Sequence, residues 1–106
     1  MGDNHRMAAS TTASVLDTLA RDVQLRGFVR GGRIEGMPAK RSRRLRLLDE
    51  VAQVFEPGIR YPEREVNRVL GDMFSDYAAL RRYLVDEQLL ERADGEYWRI
   101  GGRVHP

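Results

Sequence analysis

Residues 75–100 read SDYAALRRYLVDEQLLERADGEYWRI. In the first half, Tyr77, Leu80 and Leu84 recur at i, i+3 and i+7, with Val85 flanking, which predicts a helix with one apolar face. Ser75 is a good N-cap, with Asp76 in the first turn at the positive end of the helix. The helix should end near Glu87 or Gln88. In the second half, Asp94-Gly95 stands between Leu89-Leu90-Glu91-Arg92 and Glu96-Tyr97-Trp98-Arg99-Ile100, a strong hairpin signal. A two-residue turn puts Leu89, Glu91, Trp98 and Ile100 on one face and Leu90, Arg92, Tyr97 and Arg99 on the other. Both faces carry apolar residues, so the pattern leaves the buried face open.

Toward the N-terminus, Pro62 opens another helix, with Glu63 and Glu65 in its first turn. Val66, Val69, Leu70 and Met73 form its stripe, and Gly71 ends it or tightens the turn. Ile59-Arg60-Tyr61 is a short extended segment, because Tyr61 precedes a proline. Before it, a helix runs from about Pro38 or Ser42 to Phe55. Leu45, Leu48, Ala52 and Phe55 share its face, with Val51 beside them, and Glu56-Pro57-Gly58 stops it. The order is helix, short strand, helix, helix, hairpin, and only a few residues around Asp72 to Ser75 join the last two helices. This predicts an α+β fold: a small winged helix-turn-helix over residues 38–100, with three core helices and a C-terminal β-hairpin wing.

Residues 11–37 read as an N-terminal extension of one helix and one short hairpin. Val15, Leu16, Leu19, Ala20 and Val23 mark a helix over Thr12 to Arg26, capped by Thr11 or Thr12 and ended by Gly27. Its stripe either covers the domain or pairs with a second copy, which would make a homodimer through the helix around Val15 to Val23. Gly31-Gly32 between Phe28-Val29-Arg30 and Arg33-Ile34-Glu35 predicts a short hairpin. Residues 1–10 are expected to be a disordered tail and 101–106 a second tail.

The chain has 106 residues, enough for one modest core. No apolar run approaches the roughly 18 residues of a membrane span, and the N-terminus lacks an apolar secretory core. The expectation is a cytoplasmic protein with no membrane role. The absence of cysteine excludes disulfides, zinc-thiolate sites and thiol nucleophiles. Net charge is +2, carried by 17 arginines and a single lysine, Lys40. Coding bias toward arginine accounts for such a set, and so does selection for forked contacts to phosphate and guanine. Catalysis finds little support. His5 and His105 lie in the two tails, and Ser10, Ser14, Ser42 and Ser75 have no histidine neighbour in sequence. No phosphate-cradling glycine loop follows a strand. The reading is therefore of a protein that is not an enzyme, with no catalytic residue, cofactor or metal site.

Several short motifs recur in order: MPAK at 37–40 followed by basic residues, FEPG-x-x-Y at 55–61, EVN at 65–67, DYAALRRYLVD at 76–86 and LLER-x-x-G-x-Y at 89–97. In these, the chain resembles the domain of unknown function twenty eighty-seven over about Gly31 to Ile100. That resemblance implies a winged-helix-like fold that occurs alone or behind arsenical-repressor-type DNA-binding domains, with no defined catalytic residues. The 30 residues before the matching stretch are too few for such a repressor domain, so the domain is expected to act through its own surfaces. Gln88 stands where such turns often carry glycine, so the helix exit here is expected to differ.

Lys40, Arg41, Arg43, Arg44 and Arg46 crowd the start of the first core helix. Positive charge at the positive end of a helix dipole is unfavourable and needs compensation, by carboxylates such as Asp49 and Glu50 or by phosphate. In the third core helix, which such a fold would use as its recognition helix, Ser75, Arg81 and Arg82 are expected to face outward. Their alternative use is salt bridging to Asp86, Glu87 or the preceding helix. On the wing, Arg92 and Arg99 share a face and are expected to straddle a phosphate run. Trp98 and Tyr97 read as core or sheet-cover residues. These ten residues predict contact with double-stranded DNA by a transcriptional regulator. Asp76 and the acidic wing residues Glu91, Asp94 and Glu96 favour the alternative of a protein-interaction module with a protein partner.

Overall fold

The computed structural model describes the backbone of residues 3–103 and the side chains of residues 11–103. Four helices are present: α1 (Asp3–Arg21), α2 (Arg41–Ala52), α3 (Glu63–Gly71) and α4 (Tyr77–Asp86). Five short strands accompany them: β1 (Val29–Arg30), β2 (Arg33–Ile34), β3 (Tyr61–Pro62), β4 (Leu90–Ala93) and β5 (Glu96–Arg99). β1 and β2 form the small N-terminal hairpin. The second sheet is antiparallel, in the order β3-β5-β4. Helix, strand, two helices and hairpin, with the first strand added beside the last, is the α+β winged helix-turn-helix topology.

Both two-residue turns form as the sequence requires. Gly31-Gly32 and Asp94-Gly95 all have positive φ, the turn geometry whose twist suits a tight hairpin. The wing register pairs Leu90 with Arg99 and Arg92 with Tyr97. Leu90 and Tyr97 are each 1% exposed, so this face of the hairpin is the buried one.

The core lies between the sheet and the helices. Val66, Val69 and Leu70 of α3 meet Leu80 and Leu84 of α4 and Leu48, Val51 and Ala52 of α2. Leu47 is also fully buried, whereas the expected Leu45 is only half-buried. The face of α2 is rotated because the helix packs between α1 and α4, so a wider arc is covered. α2 ends at Ala52 rather than Phe55; a turn then delivers Phe55 into the core, 1% exposed.

α1 begins at Asp3, not at Thr11 or Thr12, so residues 3–10 belong to this helix rather than to a disordered tail. No glycine or proline interrupts residues 3–21, and Met7, Ala8 and Ala9 are good helix formers. Residues 1, 2 and 104–106 lie outside the described residues. Val15, Leu16 and Leu19 pack into the domain core. Of the two uses open to this stripe, covering the domain is the one that Val15, Leu16 and Leu19 take within the chain. α1 stops at Arg21, short of Arg26. Asp22 turns the chain: its carboxylate accepts from the Gln24 amide at 2.9 Å, and its carbonyl accepts from Leu25 and Arg26. Val23, expected in the stripe, is left 74% exposed, and Leu25 fills the core in its place.

The N-terminal hairpin is joined to the helix-turn-helix. The Ile34 amide donates to the Met73 carbonyl at 2.8 Å. Arg33 donates to the carbonyls of Gly71 and Asp72, both at 3.1 Å, satisfying the open C-terminal end of α3. Nor is the C-terminus a free tail through Arg103. Its amide and guanidinium bind Asp49, and the guanidinium reaches Glu50, so Gly101 to Arg103 lie against α2. No described helix is long and apolar enough to cross a membrane.

Candidate nucleic-acid interface

α4 carries the surface that matters, and a carboxylate fixes where it starts. Asp76, not Ser75, is the N-cap: its Oδ1 accepts from the Ala79 amide at 3.1 Å. Ser75 is exposed one residue earlier. Asp76 stands one residue closer to the first free amides, and its carboxylate is favoured there by the helix dipole. Tyr77, expected inward, is 41% exposed as the first residue after this cap.

At 100° per residue, Ala78, Arg81, Arg82 and Val85 occupy one side of α4. That side faces the wing across an open cleft of about 450 Å³, lined by those four residues with Asp86, Arg92 and Tyr97. Three arginines therefore converge on a groove between α4 and the wing. Each is held differently. Arg81 donates a short hydrogen bond to the side-chain oxygen of Asn67 on α3, and its guanidinium lies 5.9 Å from the centre of the Tyr97 ring. Arg92 donates to the Tyr97 hydroxyl at 3.3 Å, an interaction that raises its pKa further above the ordinary guanidinium value. Arg82 is exposed and has no carboxylate partner among the described residues. One acid, Asp86, borders the cleft against these three cations.

The basic run at the start of α2 is a different matter. Arg41 pairs with Glu87 at 2.7 Å, and Arg46 makes two hydrogen bonds to Asp22, at 2.8 and 3.2 Å. Arg44 donates to the carbonyls of Pro38 and Ala39, both at 3.1 Å, and lies 5.3 Å over the Tyr83 ring. These three arginines compensate the helix start within the chain itself. The acids that do so come from α1's end and α4's end, because Arg103 already occupies Asp49 and Glu50. Lys40 and Arg43 remain exposed without an ion-pair partner among the described residues. None of the run lines the cleft.

Arg99 does not straddle phosphates. It is 9% exposed and donates to the carbonyls of Phe55 at 3.2 Å and Gly101 at 3.0 Å, and to that of Arg103. It shares a hairpin face with Arg92, as the register predicts, but that face is the buried one. Arg92 escapes burial because it sits near the turn, beyond the edge of the core. Trp98 lies on the opposite face, with Arg60 stacked over its ring at 4.1 Å.

Sequence reasoning missed two members of this site. Tyr97 is a core residue as expected, yet its hydroxyl also faces the cleft; its pairing opposite Arg92 across a two-residue turn was the available signal. Asn67 carried no signal, since its contact with Arg81 depends on how α3 and α4 cross. His5 and His105 lie outside the residues whose side chains are described. Among the described residues, no cluster of histidine or carboxylate side chains could hold a metal ion.

Residues 33–99 match the family model described as an uncharacterized protein conserved in bacteria (DUF2087). The matched stretch begins at Arg33, which closes the end of α3, and stops at Arg99, which ties the wing to the α2 turn. No curated protein and no solved structure matches the chain.

Proposed function

We propose that this chain, which belongs to the family of uncharacterized proteins conserved in bacteria (DUF2087), is a winged-helix DNA-binding protein acting as a cytoplasmic transcriptional regulator. The observation that carries the reading is the convergence of Arg81, Arg82 and Arg92 on the groove between α4 and the wing. In this fold, a recognition helix enters the major groove while the adjoining wing meets the backbone, so a phosphate run passes between them. Guanidinium groups suit that position because their planar fork binds phosphate through two hydrogen bonds. Ala78 allows close approach of the helix. Arg82 is the candidate for base edges as well as phosphate, being exposed on α4 with no carboxylate partner among the described residues. Lys40 and Arg43 supply further phosphate contacts beyond the cleft, whereas Arg41, Arg44 and Arg46 serve the fold.

Five phosphate contacts, three in the cleft and two from Lys40 and Arg43, imply a slope of log affinity against log salt of about −4.5. Between 50 and 200 mM salt the affinity should then fall about 500-fold. Titration of a labelled duplex by fluorescence anisotropy across this range tests the proposal. Arg82→Ala should weaken binding and flatten the slope by about one. No binding at low salt, or a slope unaltered by this change, would overturn it. Asp86 within the cleft and the acids around the wing favour a second reading, a docking site for a protein partner. Absence of duplex binding at low salt is the outcome that selects it.

A further inference from the structure

We infer that Tyr97 is the positioning residue of the cleft, its hydroxyl fixing Arg92 and its ring supporting Arg81; this rests on the DNA-binding reading above. Tyr97 lies on the central strand of the sheet, paired with Tyr61 on one side and Arg92 on the other. It is 1% exposed, so its ring cannot move without disturbing the core. The direction of both hydrogen bonds follows from chemistry. A guanidinium only donates and a carboxylate only accepts. The hydroxyl therefore accepts from Arg92 at 3.3 Å and donates to Glu63 Oε1 at 3.1 Å.

Glu63 is the first residue of α3, and its amide donates to the Gly95 carbonyl in the wing turn at 3.0 Å. The hydroxyl is thus tied to the helical frame, and so is the turn that follows Arg92. Arg92 itself stands on an exposed part of a short strand, and the Tyr97 hydroxyl is the only hydrogen-bond partner of its guanidinium among the described residues. Without that oxygen, a long side chain would sample many rotamers, and ordering it on phosphate would oppose binding. One donor of the fork is held by tyrosine, leaving the others free in a side chain that lines the cleft.

The test uses the full chain, a fluorescein-labelled duplex and variants Tyr97→Phe, Arg92→Ala, the double variant and Glu63→Gln. Tyr97→Phe keeps the ring under Arg81 and removes only the hydroxyl. It should weaken binding about three- to tenfold while leaving the salt slope unchanged, because the charge of Arg92 is still present. Arg92→Ala should flatten the slope by about one, and adding Tyr97→Phe to it should cost nothing further. Glu63→Gln retains an acceptor for the hydroxyl and should change affinity less than twofold. Thermal unfolding of each variant, with binding measured well below its midpoint, separates positioning from loss of fold. Additive losses in the double variant, or full affinity in Tyr97→Phe, would overturn the assignment. A second readout needs no DNA: the heteronuclear NOE of the Arg92 Nε–H group should be high in the parent and fall in Tyr97→Phe. If the parent fails to bind any duplex but shows this fall, the DNA reading is lost and the positioning role of Tyr97 stands. An Arg92 Nε–H already mobile in the parent refutes the positioning role, whatever the duplex does.

Discussion

Arg99 offers a direct test of how the wing is built, because its sequence position suggests a phosphate contact and its surroundings make it a staple. Its guanidinium joins three carbonyls, those of Phe55, Gly101 and Arg103, from two segments far apart in sequence. Replacing it with alanine removes all three bonds. The bonds to Gly101 and Arg103 are only partly buried, so water replaces the lost donors there at little cost. Phe55 is 1% exposed, so its carbonyl is the one left poorly solvated. A lost hydrogen bond to a charged group costs about 2 kcal/mol, and loss of the buried arginine stem adds about 1 kcal/mol. Arg99→Ala should therefore lose about 3 kcal/mol. For a domain of this size, each kcal/mol lowers the melting temperature by roughly 4 °C or more, giving a fall of about 12 °C. Circular dichroism melts measure this. Anisotropy titrations at about 10 °C, where the variant remains folded, should show an unaltered salt slope. A melting shift below about 4 °C, or a slope flattened by one, would show that Arg99 acts at the surface and not in the wing's interior.

Two further outcomes follow from local chemistry. Gln88 has φ of 62° between α4 and β4, a left-handed conformation that glycine adopts without strain. Gln88→Gly should raise stability by about 0.5–1 kcal/mol in urea unfolding, and a loss of stability would refute strain at that exit. Asp22 should produce an acid limb. Its pKa is held below the ordinary 3.8, first by the Gln24 amide and then by the hydrogen bond and charge of Arg46, against the opposing effect of burial. A depressed folded value means that the contribution is complete above 3.8 and is lost as pH falls through the lower folded value. Asp22→Asn should therefore be less stable than the parent at neutral pH, with the gap narrowing as pH falls below 3.8; a gap of constant size would exclude this origin.

The sequence alone determined the elements that depend on neighbours along the chain. Heptad-like spacing located the core helices, Asp94-Gly95 and Gly31-Gly32 located both hairpins, and helix order with one tight inter-helix turn specified the winged architecture. The exit at Gln88 was expected to differ from one made by glycine, yet it keeps the left-handed conformation that glycine adopts, with φ of 62°. Tertiary structure decided which charges are free. Arginines 41, 44 and 46 look alike in sequence to Arg43, yet their partners Glu87, Tyr83 and Asp22 are brought to them from elsewhere in the chain. The same holds for Arg92 and Arg99, which share a hairpin face. One projects into the cleft and the other lies under the α2 turn, because the core covers only part of that face. Charge counts belong to sequence, whereas the potential of a surface depends on which cations have met an acceptor in the fold.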